Sequence, residues 1–177
     1  VVSDRQEGPH AHSANLDLET SRVYVNDLGL DRIKSYDLDS SAGKLTPAGL
    51  DVELHPGAGP RHFDFHPNGK YAYAINELDN TITTMDYERA SGRLTVIETV
   101  SALPEGWSGS SSCADLHISP DGRFIYGSNR GHDSIVIYAI DPTTGRLEYV
   151  GHETTRGNNP RNFAIEPSGR YLLTANQ

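Results

Sequence analysis

One cysteine, one methionine and one tryptophan occur in 177 residues. A lone thiol, Cys113, can close neither an internal disulfide nor a thiolate zinc site. It follows a run of serines and reads as a small filling residue rather than a nucleophile. Positive charge is also scarce: 15 Lys and Arg face 24 Asp and Glu, for a formal net charge of −9. Binding to a phosphate backbone or an anionic membrane needs a basic surface, so neither nucleic acid nor membrane is expected as the main partner. No apolar run approaches the ~18 residues of a membrane span. No signal peptide and no initiator Met are read. The chain is therefore read as a piece of a longer or processed one, from a reducing compartment and most simply the cytoplasm. No stretch carries a sustained 3.6-residue apolar period with caps, so helices are expected to be nearly absent.

What is present repeats. The segments "HPNGKYAYAIN" (66–76), "SPDGRFIYGSN" (119–129) and "EPSGRYLLTAN" (166–176) share one pattern, and "DLETSRVYVN" (17–26) is a weaker copy. Their closing residues Asn26, Asn76, Asn129 and Asn176 are spaced 50, 53 and 47 apart. A second element, "SAGKL", "ASGRL" and "TTGRL", recurs with Gly43, Gly92 and Gly145. Pro presets φ and Gly accepts φ > 0, so each Pro-x-Gly is a turn between strands. In the third unit the strands are expected near Leu116–Ser119, Arg123–Ser128, Ser134–Ile140 and Arg146–Gly151, rich in the residues a pleated surface prefers.

Four strands per unit of ~40–50 residues is the signature of a propeller blade. A β-sandwich would explain the strands but not a period near 50. The fold class expected is all-β: a β-propeller of four-stranded antiparallel blades, seven-bladed when complete. The units fall roughly at 10–57, 58–110, 111–157 and 158–177 of a single domain. This chain then covers about three and a half blades, short of the 4–8 that close a propeller. The remaining blades are expected from the rest of a longer chain or from another segment.

The repeats also align the polar residues. In a blade the first strand lines the central channel, and the end of the second lies beside its start. The position after each closing asparagine reads Asp27, Glu77, Arg130 and Gln177; the position fourteen before that asparagine reads His12, His62, Asp115 and Asn162; the one before that reads Ala11, Arg61, Ala114 and Arg161. These rows should ring one channel mouth, with His10, His117 and His132 nearby. Their chemistry varies from blade to blade while the framework repeats, as expected of a site built jointly by several blades. For any single residue a solvated turn explains the charge equally well; for the set, a site does better. Arg61, Arg130 and Arg161 present forks suited to carboxylate or phosphate, so a small anionic ligand is expected. Glu77 and the histidines can move protons.

Other features carry less. "PHAHS" puts two histidines on one side of a strand, but no compact set completes a metal site. "DLGLDRI" lacks the spacing of a calcium loop and reads as a turn with an Asp31–Arg32 pair. "GWSGSSS" (106–112) is no nucleophile elbow and reads as a flexible loop carrying Trp107 near the mouth.

"PHAHS", "DLGLDRI", "GAGPRHFDFHPNGKYAYAINEL", "ADLHISPDGRFIYGSNRGHDSI" and "GNNPRNFAIEPSGRYLLTANQ" closely resemble the propeller-type lactonase family. That family includes bacterial 6-phosphogluconolactonases and a fungal carboxymuconate cyclase, and its members are about twice this length. The resemblance implies catalytic roles for His12 of "HAHS", Arg61 of "GPRH", Glu77 of "INEL" and Arg130 of "SNRG". His62, Asp115, His117, His132 and Arg161 are taken as substrate-binding from their rows. It implies hydrolysis of a sugar-acid lactone, 6-phosphogluconolactone first, with no metal and no cofactor. Arg61 and Arg130 would hold the anion or oxyanion, and Glu77 or His12 would activate water. Closure of a carboxymuconate, or a non-catalytic binding propeller, are the alternatives.

Overall fold

Runs of Val, Ile and Tyr between glycine turns pair into antiparallel sheets in the computed structural model, which describes residues 4–177. Among these residues there is no helix, hence none long and apolar enough to cross a membrane. The first sheet orders β1 (Ala11–Asp17), β2 (Arg22–Asp27), β3 (Arg32–Asp39) and β4 (Lys44–Pro47), with β5 (Val52–Glu53) on the other end of β3. The second runs β6 (Pro60–Phe65), β7 (Tyr71–Asn76), β8 (Thr81–Glu88), β9 (Arg93–Ser101). The third runs β10 (Ser112–Ile118), β11 (Phe124–Arg130), β12 (Ser134–Ile140), β13 (Leu147–Thr154). β14 (Pro160–Ile165) and β15 (Leu172–Asn176) form a two-stranded sheet.

The turn logic holds at the repeated glycines. Gly69, Gly122 and Gly169 sit at φ 69°, 71° and 72°, the left-handed region that a side chain would strain. The strand bounds differ from the sequence expectation in one consistent way. β10 starts at Ser112 rather than Leu116, because a bulge between Cys113 and Leu116 lets the ladder continue past an irregular step. Its neighbours shift to match: β11 runs on to Arg130, and β13 to Thr154.

Two apolar layers fill the spaces between sheets. Tyr24, Ile33, Phe63, Met85 and Tyr87 pack between the first and second sheets; Tyr73, Ile75, Ile82, Leu116, Ile125 and Val136 pack between the second and third. Each fully buried Ile or Leu contributes about 1.5–3 kcal/mol. Hydrogen bonds cross the same gaps in register. Tyr24 Oη donates to Gly92 O (2.7 Å) and Tyr73 Oη to Gly145 O (2.9 Å), one blade to the next. The first and second blades are thus each seated on the next by a tyrosine of the second strand.

Candidate active site

Every first strand is irregular at one place. Register shifts fall between Ala11 and Ser13, Pro60 and His62, Cys113 and Leu116, and Pro160 and Asn162. The residues stepped over include His12, Arg61, Asp115 and Arg161. A bulge re-aims a side chain and frees backbone groups from the ladder. It does both here: Ala114 O accepts from Arg61 Nη1 (2.6 Å), and Cys113 O accepts from Arg130 Nη2 (2.9 Å).

Glu77 gathers the arginines. Arg61 Nε donates to its Oε2 at 2.7 Å, Arg130 Nη2 lies 3.2 Å from the same oxygen, and Arg5 Nη2 donates to Oε1 at 2.7 Å. Arg61 and Glu77 are both buried. Burial alone would raise the Glu77 pKa, but the Arg5 hydrogen bond and the charges of Arg130, Arg61 and Arg5 outweigh it and hold it below the usual range. Glu77 is therefore ionised and engaged on both oxygens. One carboxylate against three guanidiniums leaves the cluster cationic.

A second cluster forms on Asp115, fully buried. It pairs with His62 Nδ1 (2.6 Å) from the second sheet and with His117 Nε2 (3.3 Å) from its own. It accepts Asn162 Nδ2 (2.6 Å) and Phe163 N (3.1 Å) from the last sheet, and Leu116 N (3.0 Å). Burial opposes its charge, yet the hydrogen bonds from His117, His62 and Phe163 hold its pKa far below the ordinary value. The Asp115 hydrogen bond in turn raises the His117 pKa against burial.

A cavity of ≈440 Å³ opens in front of these clusters, within the range of small-ligand sites. His12, Arg61, His62 and Arg161 line it, with Asn162 and Gln177. The His12 ring lies 5.2 Å from that of His62. Desolvation, then the charges of Arg61, His62 and Arg161 against the opposing pull of Glu77, lowers the His12 pKa to about 4. His12 is thus a neutral imidazole at pH 7 with an open side toward solvent.

The structure does not gather every predicted residue. Glu77, Arg130, Asp115 and His117 support the wall without lining this cavity. His132 stands apart: its ring packs edge-on against Trp107 at 4.6 Å and near His152 at 5.3 Å, and its Nδ1 bonds Ser134 Oγ (2.6 Å). Asp27 caps its own turn, accepting His10 N, Gly29 N and Leu30 N. The Asp31–Arg32 pair does not form. Asp31 accepts Gly57 N and Gly59 N, while Arg32 reaches Glu53 at 3.1 Å, because Asp31 at φ 52° turns inward at a tight corner. Cys113 is buried with its thiol pKa pushed up by desolvation. Arg5 went unread in the sequence: it precedes the first repeat and meets Glu77 across 72 residues, so no spacing marks it. Among the described residues no group of three or more His, Cys, Asp or Glu is placed to hold a metal ion.

The family model of lactonases with a seven-bladed β-propeller matches residues 1–177. The chain belongs to this family. The lactonase of Formosa agariphila named 6-phosphogluconolactonase is 44% identical over all of this chain and half of its own length. The 6-phosphogluconolactonase of Bacillus subtilis is 40% identical over 98% of this chain and 49% of its own. The crystal structure of the periplasmic gluconolactonase of Pseudomonas aeruginosa superposes with a TM-score of 0.90 at 35% identity, covering 97% of this chain and 48% of that one. The chain thus spans about half the length of the lactonases it matches, and the seven-bladed propeller is the architecture of the family.

Proposed function

We propose that the full-length protein hydrolyses a sugar-acid lactone, 6-phosphogluconolactone to 6-phosphogluconate, in the cavity at His12. One observation carries the reading: a neutral imidazole stands beside surplus guanidinium charge in a single pocket of an otherwise acidic chain. The names of the relatives at 40% identity and above support the same substrate. The remaining blades of the propeller are taken as the partners that complete the channel. Sugar phosphates do not cross membranes unaided, and the cytoplasm is the compartment that this substrate suggests.

In this mechanism His12 takes a proton from water as the water oxygen attacks the lactone carbonyl. Arg61 steadies the resulting oxyanion. Its Nε and Nη1 are committed to Glu77 and Ala114 O, which leaves Nη2 for substrate. The tetrahedral intermediate collapses, the ring C–O bond breaks, and protonated His12 returns its proton to the leaving alkoxide. The acid product ionises and releases one proton. Glu77, held ionised by Arg5, Arg61 and Arg130, anchors the cations rather than acting as base. Arg130 supports the cluster; His62, Asp115 and His117 brace the wall. His132, packed on Trp107, takes no part.

Acid release from fresh 6-phosphogluconolactone, followed by pH-stat with the full-length protein, tests this. A saturable rate above the spontaneous one is expected, with kcat reduced about 10²- to 10⁴-fold in His12→Ala. No acceleration over buffer would sink the reading.

A further inference from the structure

The arginines around the cavity are not equivalent. Arg5 and Arg130 are paired with Glu77, and Arg61 has a single nitrogen left. Arg161 alone among these four makes no hydrogen bond or ion pair among the described residues, and it is exposed into the cavity. The repeat explains the missing carboxylate. Arg161 occupies in the last sheet the bulge position that Arg61 occupies in the second. Beside Arg61, the residue after the closing asparagine is Glu77; beside Arg161 the corresponding residue is Gln177. The carboxylate that neutralises one cation is an amide at the other. Among the described residues no acidic side chain lines the cavity to repel an incoming anion.

A phosphate monoester carries close to two negative charges and three acceptor oxygens, and a whole guanidinium fork meets it bidentately. Arg61 meets a carboxylate of its own sheet, whereas the last sheet offers Arg161 an amide in that place. His12 and Arg61 are engaged with the lactone carbonyl in the mechanism above, so the cation of the last sheet is left for another part of the substrate. We propose that Arg161 docks the phosphate of the substrate and sets the preference for phosphorylated over unphosphorylated lactones. This rests on the lactonase reading above, and it makes Arg161 a specificity-determining residue within it.

The test compares 6-phosphogluconolactone with glucono-δ-lactone in the full-length protein, as wild type, Arg161→Gln, Arg161→Lys and Gln177→Glu. The ratio of the two kcat/KM values is expected to fall about 10- to 150-fold in Arg161→Gln, the worth of hydrogen bonds to a charged group. Arg161→Lys should recover part of it, since lysine still binds phosphate as a point charge. Gln177→Glu, which recreates the Arg61–Glu77 pairing beside Arg161, should lower the ratio while leaving Arg161 in place. Equal losses on both lactones in Arg161→Gln would overturn the proposal and make Arg161 a general support of the site. Calorimetric binding of 6-phosphogluconate against gluconate separates this proposal from the lactonase reading. If neither lactone is turned over, tighter binding of 6-phosphogluconate that is lost in Arg161→Gln still upholds the phosphate dock. Equal binding of the two acids by wild type overturns it.

Discussion

His12 and His117 are the same residue type with opposite titration. His12 is pushed down to about 4 by desolvation and by the charges of Arg61 and Arg161; His117 is raised by the buried carboxylate of Asp115. Surroundings, not identity, decide which imidazole can accept a proton at neutral pH. If His12 is the base, kcat/KM of the full-length enzyme should fall with acid through an inflection near 4 rather than near the ordinary 6.5. Arg161→Gln removes a cation that lowers this pKa, so the acid limb should move to higher pH. A wild-type inflection at 6.5 would take the role away from His12. Cys113 supplies the contrast to these working groups: buried, with Sγ 3.1 Å from Asn129 Oδ1, it is packing rather than chemistry.

Strands and turns hold the site through contacts that cross blades. Asp115, on β10, ties together side chains or amides of the second, third and last sheets. Its replacement by alanine strands the Leu116 and Phe163 amides in a buried place. That should cost on the order of 3 kcal/mol, read from urea unfolding of the full-length protein. Asp115→Asn retains one acceptor oxygen and should lose less. If both variants unfold at the wild-type midpoint, Asp115 is not the staple described. The bulges belong to this scale too. Each occurs in a first strand, and those of the first, second and last sheets carry His12, Arg61 and Arg161, which line the cavity.

Across the whole molecule, acid should act before it protonates the bulk carboxylates. The folded His12 pKa lies below its unfolded value of 6.5, so the unfolded chain binds the proton first as pH falls from 6.5 to about 4, and stability declines over that window. Asp115 and Glu77 have depressed folded pKa values. Their contribution is complete above the unfolded carboxylate pKa and is lost as pH falls through the folded values, which extends the decline further into acid. His117, raised by Asp115, works the other way: its contribution is full below 6.5 and fades as pH rises through its folded pKa. Below 6.5 the His117 contribution is full, so unfolding free energies measured in urea from pH 6.5 to 4 should decrease. A flat profile from 6.5 down to 4.5 would contradict the His12 environment.

The repeat period, the turn glycines and the rows of polar residues determined by themselves that this chain folds as stacked four-stranded sheets with His12, Arg61, Glu77 and Arg130 near one mouth. Local turn chemistry and strand preference act over a few residues, and the repeats supply their own alignment, so this much can be read along the chain. Tertiary structure alone decided the rest. The bulges that aim His12, Arg61 and Arg161, the pairing of Arg5 with Glu77 across 72 residues, the retreat of Asp115 into a staple, and the departure of His132 to Trp107 depend on which groups meet through space. Charge pairing and desolvation act over a few ångströms in space whatever the separation along the chain. The difference between an arginine facing a carboxylate of its own sheet and one facing an amide was therefore written in the sequence as Glu77 against Gln177, but became visible only when the blades stood side by side.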